Sequence, residues 1–175
     1  MRQTPETEQL VKIAEKRLKP SRFDHTERTL DLALTLSEIY GVDKKSAETA
    51  AILHDFAKDS SVEGNDLSHG SEAALLAESE FGVENIDVLN AIRYHTTGRA
   101  CMSDLELVIF LADTLEEGRV YESADRLRNS VKEDLYSGAL TVIKELIEFL
   151  ENKGISPSQD SLDAVAWLEV FVADK

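Results

Sequence analysis

The 175-residue sequence contains few of the residues that mark secreted and membrane proteins. It has one cysteine and three prolines, and no apolar run approaches the roughly 20 residues of a membrane span. Cys101 has no partner for an internal disulfide, and the first residues lack the apolar stretch of a signal peptide. We therefore expect a cytoplasmic protein without a membrane partner.

Positive charge is also scarce in this chain. Nineteen Lys and Arg residues stand against 34 Asp and Glu residues, which gives a formal net charge of −15. This charge repels long nucleic acids, and no basic patch with interleaved aromatic residues is present. A small phosphate-bearing ligand stays compatible, because a metal ion and a few nearby cations can reverse the local sign. The expected partner is a small molecule.

Glycine is limited to eight residues, and no segment alternates as a strand would, so the sequence predicts an all-α fold. The length suits a single-domain helical bundle over residues 1–175, with its core at about 20–150. A helix over 4–18 and a C-terminal helix over 161–173 are expected to pack on this core. The C-terminal helix could instead form a homodimer contact. The other predicted helices cover 21–40, 43–55, 68–82, 85–95, 103–115 and 123–152, the last with a break, and 59–68 is predicted to be a polar loop.

Turn and capping residues determine the expected helix ends. Pro5 is expected at the first position of the first helix, and Ser21 is expected to cap the second. Asp43 and Asn85 are expected to cap the third and fifth helices. The segment 103–106, Ser-Asp-Leu-Glu, has the spacing of a capping box.

An adjacent histidine and aspartate, His54 and Asp55, lie between apolar residues in a chain with only four histidines. Either group is costly to bury beside Leu53 and Phe56 unless something pairs with it. Imidazole and carboxylate are common ligands of divalent transition metals. The pair therefore indicates a candidate metal site.

Two further candidates are distant in sequence. A helical wheel places His25 on the inward face of its helix, where the alternative is a core histidine bonded to backbone or water. Asp113 lies in a helix that is apolar nearly all round, but it shares its stripe with Glu106 and Glu117. The wheel therefore allows two interpretations of Asp113: a buried functional carboxylate, or part of a narrow strip that faces solvent.

The remaining histidines, His69 and His95, are predicted at helix ends next to turns, where side chains can reach a cleft. A solvated or capping histidine is the alternative for each. Basic residues that suit phosphate oxygens lie close to these candidates in sequence, with ordinary surface charge as the alternative. They are Arg22, Lys58, Arg99 and Arg119.

The order His25, His54-Asp55, Asp113 resembles the HD superfamily of metal-dependent phosphohydrolases. Longer stretches resemble the YqeK-type family, the symmetrical bis(5′-nucleosyl)-tetraphosphatases, over roughly residues 8–150. These stretches are Ala91-Ile92-Arg93-Tyr94-His95-Thr96-Thr97-Gly98-Arg99, Phe110-Leu111-Ala112-Asp113, Leu53-His54-Asp55-Phe56-Ala57-Lys58, His69-Gly70 and Arg22-Phe23-Asp24-His25-Thr26.

The resemblance implies an HD-type helical fold, an iron-type metal centre and hydrolysis of diadenosine tetraphosphate to two ADP. Manganese, cobalt and zinc are the alternative metals. By position, the implied metal ligands are His25, His54, Asp55 and Asp113. The residues implied to bind the substrate are Arg22, Lys58, His69, His95 and Arg119, with Thr96 and Arg99 close by. Asp55, His69 and His95 are the candidate catalytic residues.

Three roles stay open for His69 and His95. They could bind a second phosphate, transfer a proton to the leaving group or hold a second metal ion.

Two departures from the family pattern leave alternative functions open. Only ten residues separate Lys58 from His69, where the family usually carries a longer insert, and residues 116–119 read Glu-Glu-Gly-Arg rather than Glu-Pro-x-Arg. The alternatives are an HD phosphohydrolase of another nucleotide, such as a nucleoside phosphate or a cyclic nucleotide, and a non-catalytic nucleotide-binding HD module. A helical scaffold with structural histidines is the third.

Overall fold

The computed structural model describes residues 4–58 and 68–174, and these residues form nine helices and no strand. The all-α fold predicted from the sequence is confirmed. The helices are α1 (Thr7–Arg17), α2 (Pro20–Tyr40), α3 (Lys44–Leu53), α4 (His69–Ser79), α5 (Ile86–Arg93), α6 (Asp104–Leu115), α7 (Ala124–Glu133), α8 (Leu135–Asn152) and α9 (Gln159–Ala173). The predicted polar loop, except for its last residue, lies outside the described residues, and so does the shortened segment after Lys58.

Local capping explains where several helices begin. The side chain of Asp43 accepts the Ser46 N–H at 2.8 Å, and that of Asn85 accepts the Asp87 N–H at 3.0 Å. Ser103 accepts the Glu106 N–H while the Glu106 side chain accepts the Ser103 N–H, which completes the predicted capping box. These caps satisfy backbone donors that the first turn of a helix leaves unpaired.

Some predicted helix ends were wrong by one to three residues. Pro5 precedes α1, which begins at Thr7, and Lys19 rather than Ser21 is the N-cap of α2, because Pro20 takes the first helical position. Helix α3 ends at Leu53, so His54 and Asp55 lie in the turn that follows it. The predicted break within 123–152 falls at Asp134, between α7 and α8.

Helix α6 forms the centre of the core. It is buried nearly all round, from Leu107 to Ala112, and it contacts α2, α3, α5, α7 and α8. Helices α1 and α9 add apolar side chains to the same cluster of buried residues. The assignment of the whole chain to a single domain stays a prediction. Of the described helices, none combines the length and the apolar character that a membrane crossing needs.

Helices α4 and α5 approach each other closely at Gly70. A Cβ atom at this position would lie 2.5 Å from the carbonyl oxygen of Arg93, a backbone atom that cannot move aside cheaply. Gly70 is buried in the first turn of α4, directly after His69. The absence of a side chain at Gly70 therefore sets the distance between the start of α4 and the end of α5.

We predict that Gly70→Ala destabilises the protein by about 1–3 kcal/mol, the usual cost of forcing extra volume into a packed interior. Urea unfolding followed by circular dichroism measures this change. Ser71→Ala, at the exposed neighbouring position, is the matched control and should shift the free energy of unfolding by less than about 0.5 kcal/mol. Equal stabilities for the two variants would contradict the close approach.

Candidate metal centre

Six side chains from five parts of the chain converge at one buried cluster. His25 comes from α2, His54 and Asp55 from the turn after α3, His69 from the first turn of α4, His95 from the turn after α5, and Asp113 from the last turn of α6. All four imidazoles and Asp55 are buried, with Asp55 only 3% exposed. Polar groups are rarely packed this densely away from water without a shared charged partner.

The first part of the cluster joins His25, His54, Asp55 and Asp113. The His25 Nε2 atom lies 2.9 Å from Asp113 Oδ1 and 3.3 Å from His54 Nε2. Asp55 Oδ2 lies 3.7 Å from His54 Nε2 and 3.9 Å from His25 Nε2. Ligand atoms about 2.1 Å from one metal ion are about 3.0–3.4 Å apart when they neighbour one another. The donor atoms of His25, His54 and Asp55 lie close enough to one another to hold a metal ion, and Asp113 Oδ1 borders this group through His25.

The second part of the cluster uses the other oxygen of Asp55. Asp55 Oδ1 lies 3.3 Å from His69 Nε2 and 3.5 Å from His95 Nε2, and the two Nε2 atoms are 3.0 Å apart. These three donor atoms are also close enough to hold a metal ion. Asp55 thus faces both groups of side chains, one with each carboxylate oxygen.

The backbone orients two of the imidazoles. His54 Nδ1 donates to the Ala51 carbonyl at 2.6 Å, and His95 Nδ1 donates to the Ile92 carbonyl at 2.7 Å. Each histidine follows a helix end, where carbonyls of the last turn lack an intrahelical partner. A hydrogen on Nδ1 leaves the lone pair of Nε2 facing the cluster, as metal coordination requires.

Comparison with known proteins shows the family of this chain. Residues 22–118 match the family model of the HD domain. This chain belongs to the HD-domain family.

Relatives that align with nearly the full length of this chain identify the family more closely. Two are named symmetrical bis(5′-nucleosyl)-tetraphosphatase. The protein of Halalkalibacterium halodurans is 34% identical over 87% of this chain and 91% of its own length, and that of Bacillus subtilis is 33% identical over 92% and 96%. This chain also resembles a crystal structure from Clostridium acetobutylicum, which is described as a predicted HD superfamily hydrolase involved in NAD metabolism. The two structures superpose with a TM-score of 0.85 at 29% sequence identity, and the match covers 98% of this chain and 100% of the other. The chain is thus a member of the symmetrical bis(5′-nucleosyl)-tetraphosphatase family of HD-domain proteins.

Electrostatics in this HD domain favour neutral His54 and ionised carboxylates. Burial lowers the pKa of His54 to about 4. Burial alone would raise the pKa of Asp55 and of Asp113, but the neighbouring imidazoles outweigh it and hold both values well below the ordinary range. Both carboxylates are therefore available as anionic ligands.

Three of the predicted substrate-binding cations border the cluster of this HD domain. Arg22 donates to Asp55 Oδ2 at 2.8 Å, Arg119 donates to Asp113 Oδ1 at 3.3 Å, and Lys58 Nζ lies 3.4 Å from His69 Nδ1. The Thr96 hydroxyl lies 3.3 Å from His69 Nε2. The Arg22 and Arg119 side chains are partly exposed, to 29% and 46%. These residues line the edge of the cluster.

Arg99 has a different environment. It forms a bidentate pair with Glu106, with N···O distances of 2.7 and 2.6 Å, and its guanidinium lies over the ring of Tyr94. These contacts hold the turn after His95, and a phosphate contact by Arg99 stays a prediction. Because Glu106 is only 2% exposed, the alternative of a solvent-facing strip through Asp113 is wrong.

Sequence reasoning missed the contribution of Glu116, which appeared only as part of a departure from the family pattern. Its carboxylate is 2% exposed and lies 3.2 Å from His25 Nδ1. Arg28, one helical turn after His25, donates to the same carboxylate. The only available sequence signal was that Glu116 lies three residues after Asp113 at the end of an apolar helix.

We predict that the HD domain begins to lose metal above about pH 6.5, the ordinary pKa of histidine, and loses more as the pH falls further. Burial lowers the pKa of His25 and His95, but bonds to Asp113 and Asp55 raise both values overall in the metal-free protein. Protons therefore compete with metal at these two residues, and affinity should fall by up to about tenfold per pH unit for each. Chelator competition across pH measures the effect, and a metal content unchanged down to about pH 5 would exclude ligation by these histidines.

Proposed function

We propose that this protein is a metal-dependent phosphohydrolase that cleaves diadenosine tetraphosphate symmetrically into two molecules of ADP. The observation that carries the proposal is the buried cluster of four imidazoles and two carboxylates, bordered by cations. The names of the relatives from Halalkalibacterium halodurans and Bacillus subtilis support the choice of substrate.

His25, His54, Asp55 and Asp113 would hold one divalent transition metal ion, for which we propose iron, with manganese, cobalt or zinc as alternatives. A metal ion in such a site lowers the pKa of a coordinated water and polarises a phosphoryl oxygen. The protein contributes the orientation of the imidazoles, the ionised state of both carboxylates and the exclusion of bulk water by burial.

We also propose that Asp55, His69 and His95 hold a second metal ion. The three donor atoms are 3.0–3.5 Å apart, and Asp55 faces both groups with different oxygens. A carboxylate shared between two ions is suited to clamping the attacking and leaving oxygens of a phosphoryl transfer. Phosphate binding or proton transfer by the two histidines are the competing roles.

Local positive charge would offset the repulsion between a polyphosphate and a chain of net charge −15. Arg22 borders Asp55, Arg119 borders Asp113, and Lys58 lies beside His69, so cations stand at three edges of the cluster. Guanidinium groups bind phosphate oxygens through paired N–H donors. This arrangement favours a substrate with several phosphates.

The remaining sequence-based expectations continue as proposals. We propose one domain over residues 1–175 and a cytoplasmic location, supported by the shared apolar core and by the single cysteine. Whether the protein acts alone or as a homodimer is left to measurement of its mass in solution.

We predict that the metal-loaded protein converts diadenosine tetraphosphate to ADP alone. Separation of nucleotides by chromatography distinguishes this outcome from AMP plus ATP, which would contradict symmetric cleavage.

Asp55→Ala should abolish turnover with helical content retained, because it removes a ligand that faces both parts of the cluster. Asp31→Ala, an exposed carboxylate on α2, is the control and should keep full activity. Hydrolysis only of nucleoside phosphates or cyclic nucleotides would favour the alternative phosphohydrolase. Nucleotide binding without turnover would favour a non-catalytic module.

We predict two metal ions per chain after anaerobic purification, measured by elemental analysis. His95→Ala should reduce the content to one, because His25, His54 and Asp113 retain the first set of ligands. A wild-type content of one ion, unchanged in His95→Ala, would assign His69 and His95 to phosphate binding or proton transfer instead.

A further inference from the structure

The carboxylate of Glu116 lies behind His25, on the side of the imidazole that faces away from the other ligands. Its Oε1 atom is 3.2 Å from His25 Nδ1, whereas Nε2 of the same ring is 2.9 Å from Asp113 Oδ1. Glu116 is buried, so substrate cannot reach it. Glu116 can therefore influence the metal centre only through its neighbours, and of these His25 Nδ1 at 3.2 Å is nearer to Oε1 than Arg119 Nε at 3.7 Å.

His25 needs such a partner because of its place in the fold. It lies inside α2, where the backbone carbonyls already accept helical hydrogen bonds. His54 and His95 follow helix ends and donate to carbonyls of the last turn. A histidine within a helix has no such carbonyl, so its Nδ1–H requires an acceptor from another element.

The other oxygen of Glu116 is fixed by two donors. Arg28 Nε and the Gly118 N–H both donate to Glu116 Oε2, each at 2.5 Å. A side chain at position 118 would collide with Arg28, since a Cβ atom there would lie 2.7 Å from Arg28 Nε. The two donors hold one oxygen of the carboxylate and leave the other aimed at His25.

We propose that Glu116 is a positioning residue for metal binding, which holds the hydrogen of His25 on Nδ1 and so keeps the Nε2 lone pair for the metal. Arg28 and the Gly118 amide keep the carboxylate in place. This inference rests on the proposed metal ligation by His25 but not on the identity of the substrate. Carboxylates that support a ligating histidine in this way typically change metal affinity by about 10–100-fold.

Glu116→Gln tests the proposal because the amide has one acceptor and one donor end. Arg28 and the Gly118 N–H would bind the amide oxygen, which turns the NH₂ group toward His25 Nδ1. The neutral imidazole would then carry its hydrogen on Nε2, the form that cannot coordinate metal through that atom. The variant keeps the size of the side chain, so the fold should be retained.

Two measurements on the metal-free protein decide the matter, and neither uses substrate. Asp113 accepts from Nε2 in both proteins, so nitrogen-15 NMR, at a pH well above the pKa of the imidazoles, should find a larger fraction of His25 with its hydrogen on Nδ1 in the wild type than in Glu116→Gln. Zinc affinity of the site that contains His25, measured by chelator competition, should fall about 10–100-fold. Glu117→Gln, at the exposed neighbouring position, is the control and should match the wild type in both.

The results separate this inference from the proposed substrate. An unchanged His25 tautomer with zinc affinity within twofold of wild type would overturn it, even if the enzyme cleaves diadenosine tetraphosphate. A wild type that binds no zinc would overturn it as well. If the wild type cleaves no dinucleotide but the two measurements change as expected, the positioning role stands and the substrate is wrong.

Gly118→Ala provides a second variant should Glu116→Gln fail to fold. Its methyl group would displace the guanidinium of Arg28 from Glu116 without removing the carboxylate. Zinc affinity should fall in the same direction by a smaller factor, and an affinity equal to wild type would overturn the role of Arg28 in holding Glu116.

Discussion

The burial of the Asp55 carboxylate is the constraint on which the rest of the site depends. A charged group that is 3% exposed is strongly destabilising unless hydrogen bonds and opposite charge surround it. His69 and His95 approach one oxygen, and Arg22 donates to the other. Helices that are distant in sequence must therefore meet at Asp55. The packing of α2, α3 and α5 on α6, and of α4 on α5, brings these groups into reach.

Helix ends supply much of the geometry of the cluster. Histidines placed just after α3 and α5 donate to carbonyls of the last turn, so the same local feature ends a helix and orients an imidazole of the cluster. His25 is the exception, because it lies inside α2 and its Nδ1 atom faces the Glu116 carboxylate instead of a backbone carbonyl. The loop after α6 thus places a carboxylate behind His25, a residue of the proposed metal centre.

The charge at the border of the site also differs in sign from the charge of the chain as a whole. The chain as a whole is strongly acidic, yet guanidinium groups of Arg22 and Arg119 stand beside the buried carboxylates. Burial reduces solvent screening, so these nearby cations count for more at the cluster than the distant surface acids. A polyanionic ligand is therefore compatible with a protein of net charge −15.

The sequence by itself determined the helical class, most helix positions, and the inward direction of His25, because apolar periodicity and capping are local properties. The motif order around His54 and Asp113 indicated the family from the sequence alone. Periodicity could not decide whether Asp113 and Glu106 face solvent, since helix α6 is apolar on nearly every side and its neighbours are distant in sequence. Only the tertiary structure paired Arg99 with Glu106 and set Glu116 behind His25, because those contacts join helices and loops whose separation is fixed by packing and not by spacing along the chain.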